Sequence, residues 1–245
     1  VSSLDLRFAE DKSLVDATTG QNLVTFTRAS SGTYVDADGL IKTAANNVPR
    51  FDHNPLTGES LGLLVEEQRT NLCLQSAAIS TSPWAANSTE TCVASTLTDP
   101  AGGLNAFRVN LEESSFSRWQ QPITVINGTT YTLSAWVRST SGTTSFRIRF
   151  AGGVTSSDLT ATATWQRFSF TLTAGTTAGS FAFNSPSTGA AAEIHVWGAQ
   201  LEAGAFPTSY IPTTAATVTR SADVASISGS NFSAWYRQDQ GSLFV

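Results

Sequence analysis

The chain has 245 residues with a formal net charge of −5, and only 13% of its residues are charged against 40% hydrophobic. Six Trp and 14 Phe supply ample material for a core, which excludes a largely disordered chain. No run of Lys and Arg could neutralise a phosphate backbone, so a nucleic-acid partner is not expected, and no apolar stretch is long enough to span a bilayer.

The first residues, VSSLDLRFAEDKS, carry no apolar signal core, and the chain has no Met, so the natural N-terminus is expected to be missing. LVTFTRAS (Leu23 to Ser30) alternates Val24, Phe26 and Arg28 with Thr25 and Thr27, as an edge strand does. GTYVDADGLIKTA then reads as a hairpin, with Tyr34-Val35 and Leu40-Ile41 flanking Asp36-Ala37-Asp38-Gly39. That tetrapeptide also matches the opening of a calcium loop, which makes Asp36 and Asp38 candidate ligands. Position twelve is Asn47, however, where such a loop needs a bidentate Glu, so a plain turn is the stronger reading.

Val48 to Leu72 holds the densest ionisable group: Asp52, His53, Glu66, Glu67 and Arg69. Adjacent residues of a strand face opposite ways, so Glu66 and Glu67 do not make a paired acid and base. An ion pair of Glu67 with Arg69 or Arg50 is expected instead. From Gln75 the composition turns to Ser, Thr, Asn and Ala, which places a boundary near Ser76. The chain thus divides into an extended, irregular β lead-in over 1–75, a β domain over 76–212, and a linker with the start of another β domain over 213–245.

The central domain shows eight short strand patterns: TCVASTL, AFRVNL, FSRWQQPITV, YTLSAWVRS, TSFRIRFA, WQRFSFTLT, SFAFNS and EIHVWGAQLEA. Their period is two rather than 3.6, which predicts an all-β, antiparallel β-sandwich of jelly-roll type. Asn127-Gly128 marks a tight turn. NFSAWYRQDQGSLFV, from Asn231, reads as a fresh strand pattern that stops as though the natural protein continued.

Cys73 and Cys92 stand nineteen positions apart and are read as free thiols, since one pair in 245 residues is no disulfide framework. With His53 and His195 they give no metal-ligand spacing, and no cofactor motif is present. His195, within EIHVW, is expected to line a sheet rather than act as a base, and no catalytic residue is assigned.

The segment VTFTRASSGTYVDADGLIKTAANNVPRFDHNPLTGESLGLLVEEQRTNL resembles one that recurs in tailed-phage and prophage virion proteins. VWGAQLEAGAFPTSYIPTTAATVTRSADVASI is similar to a later segment of the same proteins, and NFSAWYRQDQGSLFV to the first strands of a concanavalin-like, laminin-G-like domain. YTLSAWVRS, TWQRFSFTLTA and EIHVWGAQLEAG are similar to jelly-roll carbohydrate-binding modules of the cellulose- and xylan-binding kind. The usual Asp-bearing last strand is here IHVWGAQLE, so that family's structural calcium is not carried over. The resemblance implies a non-enzymatic virion protein, of a fibre, tail or capsid appendage. It implies a homo-oligomer, with a trimer expected, touching other virion proteins and host surface polysaccharide. The alternative is an accessory carbohydrate-binding module of a polysaccharide-degrading enzyme.

A glycan site needs a stacking aromatic and planar polar groups, because a sugar offers an apolar ring face and hydroxyls. Trp119 and Gln121, with Arg147 and Arg149 alternating outward from Phe146, Ile148 and Phe150, form the candidate constellation if their strands are neighbours. Trp119 placed in the core would instead send Arg118 and Gln120 outward. Trp136, Trp165 and Trp197 are read as core, and Trp84 and Trp235 as boundary packing.

Overall fold

A computed structural model of the chain describes residues 4–150 and 152–239. Its first strands are short: β1 (Thr25–Thr27), β2 (Gly32–Val35), β3 (Ile41–Ala44), β4 (Phe51–His53) and β5 (Ser60–Leu63). Next come β6 (Arg69–Asn71), β7 (Ala85–Ala86), β8 (Thr91–Ala94), β9 (Phe107–Leu111), β10 (Arg118–Thr124), β11 (Thr130–Arg138) and β12 (Thr143–Phe150). The series closes with β13 (Val154–Thr155), β14 (Leu159–Thr162), β15 (Gln166–Thr173), β16 (Ala178–Asn184), β17 (Ala192–Ala203), β18 (Val218–Arg220), β19 (Val224–Ser226) and a one-turn helix, α1 (Gly229–Ser233). No helix among the described residues is long and apolar enough to cross a membrane.

The chain forms two compact units. One takes the residues up to Gln68 together with those from Arg220 onward; the other is Arg69–Thr219. The expected boundary near Ser76 falls inside the second unit. Ser76 is buried there, and its hydroxyl meets Tyr210 Oη at 2.6 Å and accepts the Thr213 N–H at 2.8 Å.

In the first unit, the alternation of TFTR is real. Phe26 and Arg28 are buried while Thr25 and Thr27 are exposed, and β1 pairs antiparallel with β19. β2 and β3 form the expected hairpin. Its Asp36 is an Asx turn: Oδ1 accepts the N–H groups of Asp38 and Leu40, and Lys42 Nζ stands 3.7 Å from Oδ2. Gly39 takes φ +77°, and a Cβ there would lie 2.7 Å from the Pro55 carbonyl oxygen. The Asp36 carboxylate is thus a turn acceptor, the role the plain-turn reading gives it. No group of three His, Cys, Asp or Glu side chains converges among the described residues.

Glu66 pairs with Arg50 at 2.9 Å and with Arg220 at 3.4 Å, and neither Glu66 nor Glu67 lies in a strand. Glu67 contributes its backbone carbonyl, which accepts from Arg220. Asp223 completes the cluster. It accepts from Arg28 Nη1 at 3.0 Å, from the Glu66 N–H at 2.9 Å and from Arg50 Nη2. Arg28, Arg50 and Arg220 are all closed to solvent. From Gly229 the strand expected in NFSAWYRQD is instead α1, followed by a turn on which Phe232 stacks against Tyr236. The residues QGSLFV lie outside those described.

The second unit is the sandwich. One sheet runs β15-β11-β17-β9-β8; the other runs β13-β12-β16-β10-β7, with β14 also on β12. Between them pack Leu133, Val137, Phe146, Ile148, Phe181, Phe183, Ile194 and Leu201, all fully buried. Each such side chain contributes about 1.5–3 kcal/mol of hydrophobic stabilisation. Trp84 belongs to this core, stacked 6.1 Å from Phe183.

A β-bulge sets the phase of β17. Ser134 pairs with Gln200 but Trp136 with Trp197, so one extra residue sits on β17 at Gly198, whose φ is +66°. Without it, Ile194 and Val196 could not share the inner face with Ala199 and Leu201. Trp136 and Trp197 therefore lie on the outer face, 5.4 Å apart and edge to face, which corrects their expected place in the sandwich core. Trp165 is also outside it: half-buried, its Nε1 donates to the Thr98 carbonyl.

Candidate functional site

A sandwich has two outer faces, and residues 204–213 cover one of them. Glu202, fully buried at the end of β17, accepts the N–H of Thr208 at 2.9 Å and its hydroxyl at 2.7 Å. Gln200 accepts the Ile211 N–H at 2.7 Å. Tyr210 packs 4.7 Å from Trp197, and burial pushes its phenol well above the usual range. Arg167 lies over the Trp136 ring at 4.4 Å and donates to the Thr208 carbonyl. That face is closed by its own chain.

The other outer face carries the polar residues of β12, β16 and β10, half-buried except for the buried Asn184. Two rows cross the three strands. Arg147, Asn184 and Arg118 form one; Arg149, Ala182 and Gln120 form the next. Alternation explains both, because the neighbours Ile148, Phe183 and Trp119 point inward. Arg118 Nε donates to Gln120 Oε1 at 2.9 Å, and the Ser180 hydroxyl donates to the same oxygen at 3.1 Å. Arg147 Nε donates to the Ser185 carbonyl at 2.8 Å and stands 3.8 Å from Asp158. Asn184 is 3% exposed, and its Oδ1 has no hydrogen-bond partner among the described residues. A buried acceptor left so costs about 1–3 kcal/mol. Phe116, 73% exposed, stands at the end of the first row, where its carbonyl accepts from Arg118.

The expected constellation is thus split. β10 and β12 are not direct neighbours but flank β16, which brings Arg147 and Arg149 onto one face with Arg118 and Gln120. Trp119 is corrected: it is 8% exposed, packs in the core and donates Nε1 to the Ile79 carbonyl at 2.8 Å, so its ring face is not available to a sugar. Gln121 is corrected too. It is buried, and its amide accepts the Leu74 N–H and donates to the Leu74 carbonyl, each at 2.8 Å. Asn184 and Phe116 were not foreseen. The F-x-F-N run of SFAFNS held the signal for Asn184, since two inward Phe put the Asn outward.

The carboxylates near this face are acceptors in use. Burial pushes Glu90 up, but the Ser88 N–H, the Ser117 hydroxyl and the Arg118 N–H outweigh it and leave the carboxyl below its ordinary range. The Ser187 hydroxyl and N–H hold Asp158 low. Neither is poised as a general acid at neutral pH.

The histidines lie in different units. His195 is buried, with Nδ1 2.8 Å from the Ser95 hydroxyl and Nε2 2.9 Å from Thr140 Oγ1. Ser95 Oγ already accepts the Leu97 N–H, and the Thr140 hydroxyl donates to Glu193. The chain of donors therefore runs from Ser95 through a neutral, Nε2-protonated His195 to Glu193. Both ring nitrogens are spent on structure. Cys73 and Cys92 are free thiols; burial raises both, Cys92 to about 12. In the first unit an open depression of about 370 Å³, lined by Leu14, Val24, Phe26, Pro49 and Phe51 among others, has Lys12 as its charged group.

The second unit is thus an all-β sandwich with one outer face covered by residues 204–213 and guanidinium and amide groups on the other. Residues 78–200 match the model of the carbohydrate binding domain family, and the chain belongs to it. Among solved structures it is similar to the CBM22-1 xylan-binding domain of Paenibacillus barcinonensis Xyn10C, at 12% identity over 56% of this chain and 96% of that one, with a TM-score of 0.46. TmCBM61 in complex with β-1,4-galactotriose is similar at 15% identity over 55% and 99%, with a TM-score of 0.37. The enzymatically active domain of tailspike protein 4 from bacteriophage CBA120 is similar at 15% identity over 54% and 21%, with a TM-score of 0.37. No curated protein matches the chain.

Proposed function

We propose that the chain is a non-catalytic carbohydrate-binding module that holds a polysaccharide on the outer face of β12, β16 and β10. The observation that carries this is Asn184: a buried acceptor without a donor among the described residues, in a row between two guanidinium groups, on the outer face opposite the one that residues 204–213 cover. A sugar hydroxyl supplies the missing donor, Gln120 and the arginines meet further hydroxyls, and Phe116 offers an apolar edge to a ring. In this reading the module keeps a polysaccharide-degrading partner domain at its substrate, and membership of the carbohydrate binding domain family supports it.

Affinity electrophoresis through gels containing soluble polysaccharides tests it. Retardation by at least one polymer, abolished in Asn184→Ala at unchanged melting temperature, is the expected result. Unretarded migration in every gel refutes it.

A second reading places the same module on a phage particle, in a fibre, tail or capsid appendage and as a trimer. It is supported by the resemblance of Val24 to Leu72 to virion segments. Light scattering tests the trimer, and co-purification with coat and tail proteins tests the location. A monomer that stays off particles would leave the accessory-module reading alone.

A further inference from the structure

The outer face of β12, β16 and β10 carries three of the chain's 14 cationic side chains, in a protein whose net charge is −5. Two of the three have local counter-charges. Asp158 stands 3.8 Å from Arg147, and Glu90 acts on Arg118 from beneath the strand, where it accepts the Arg118 N–H at 3.0 Å. Arg149 has neither: its guanidinium makes no hydrogen bond or ion pair among the described residues. It is half-buried beside Gly153, where a Cβ would stand 3.0 Å from Nη2. Burial, and then the charge of Arg149, push Arg118 below its ordinary value, so the two cations oppose each other across the face.

A half-buried guanidinium facing another cation is a cost to the fold, and an anion on this face would offset it. The planar fork of Arg matches a carboxylate with two parallel hydrogen bonds, whereas the Asn184 acceptor calls for a hydroxyl. One ligand class presents both groups in repeating array. Resting on the carbohydrate-binding reading above, we propose that the ligand is an acidic polysaccharide, with a uronate carboxylate seated on Arg149 and Arg118 and a ring hydroxyl on Asn184. Its binding would weaken with added salt, although less steeply than at a fully exposed patch.

The test uses the full chain in affinity electrophoresis through polygalacturonate, alginate and glucuronoxylan, each beside the same polymer after carboxyl reduction. Arg149→Gln and Arg149→Lys are run alongside, with melting temperatures as the check on folding. The expected result is retardation by an acidic polymer that falls about tenfold or more on carboxyl reduction and in Arg149→Gln, the worth of a charge-assisted hydrogen bond. Arg149→Lys should recover part of it. Equal retardation by native and reduced polymers, or an Arg149→Gln variant that binds acidic polymer as the parent does, overturns the acidic ligand and leaves a neutral-glycan module. No retardation by any polymer overturns both.

Discussion

Arg28 donates from Nη1 to Oδ1 of Asp223 at 3.0 Å, across 195 positions of chain, and both side chains are closed to solvent. Asp223 also takes hydrogen bonds from Arg50 and the Glu66 backbone, so its carboxylate anchors the first unit. Removing one member of a buried ionic cluster strands the others, at about 3–5 kcal/mol. Asp223→Ala should therefore unfold the first unit selectively. Hydrogen-exchange mass spectrometry should show protection lost over the Gly32–Ala44 hairpin and kept over β11 and β17; uniform loss or no loss would contradict this.

Trp119 and Phe116 separate packing from binding. Trp119→Ala empties a core position and should cost about 3–5 kcal/mol in urea unfolding. Phe116→Ala removes a ring that is 73% exposed and should leave stability within about 0.5 kcal/mol while weakening polysaccharide retardation. The opposite assignment of effects would return Trp119 to the site.

Gly198 holds the bulge at φ +66°, and a Cβ there would lie 3.0 Å from the Trp136 ring. Gly198→Ala should cost about 1–3 kcal/mol through backbone strain alone. Tryptophan fluorescence should also shift, because Trp136 and Trp197 pack at that point.

His195 predicts a pH dependence. Burial lowers its pKa in the fold; Glu193 opposes this, while Arg138 and Arg108 add to it. The unfolded histidine, with a value near 6.5, takes up a proton before the folded one does. The stability this group contributes is present above about pH 6.5 and is lost as pH falls through the folded value. His195→Gln should flatten the stability profile on the acid side of pH 6.5, measured as melting temperature against pH.

How far the sequence was legible depends on which elements are local. Strict alternation in SFRIRF and FSRWQQ carried the sandwich, and in SFRIRF the outward direction of Arg147 and Arg149, without any knowledge of pairing. Trp119 failed because an aromatic between polar residues reads alike on either face; only the inward phase of Ile148 and Phe183 beside it decides. The phase slip at Gly198 defeats any period-two reading of EIHVWGAQLE, although a glycine inside a strand is the mark of a bulge. The Arg28, Arg50, Arg220 and Asp223 cluster joins the two ends of the chain, and nothing local announces a contact at that separation.

The second unit begins at Arg69 and ends at Thr219, and the strands at those two points, β6 and β18, lie in one ladder with the Thr70 and Thr219 hydroxyls 2.8 Å apart. The first unit, made of the segments before and after, keeps its own charged anchor. The sandwich therefore enters and leaves at one place, so a short link between Gln68 and Arg220 should suffice to close the first unit on itself.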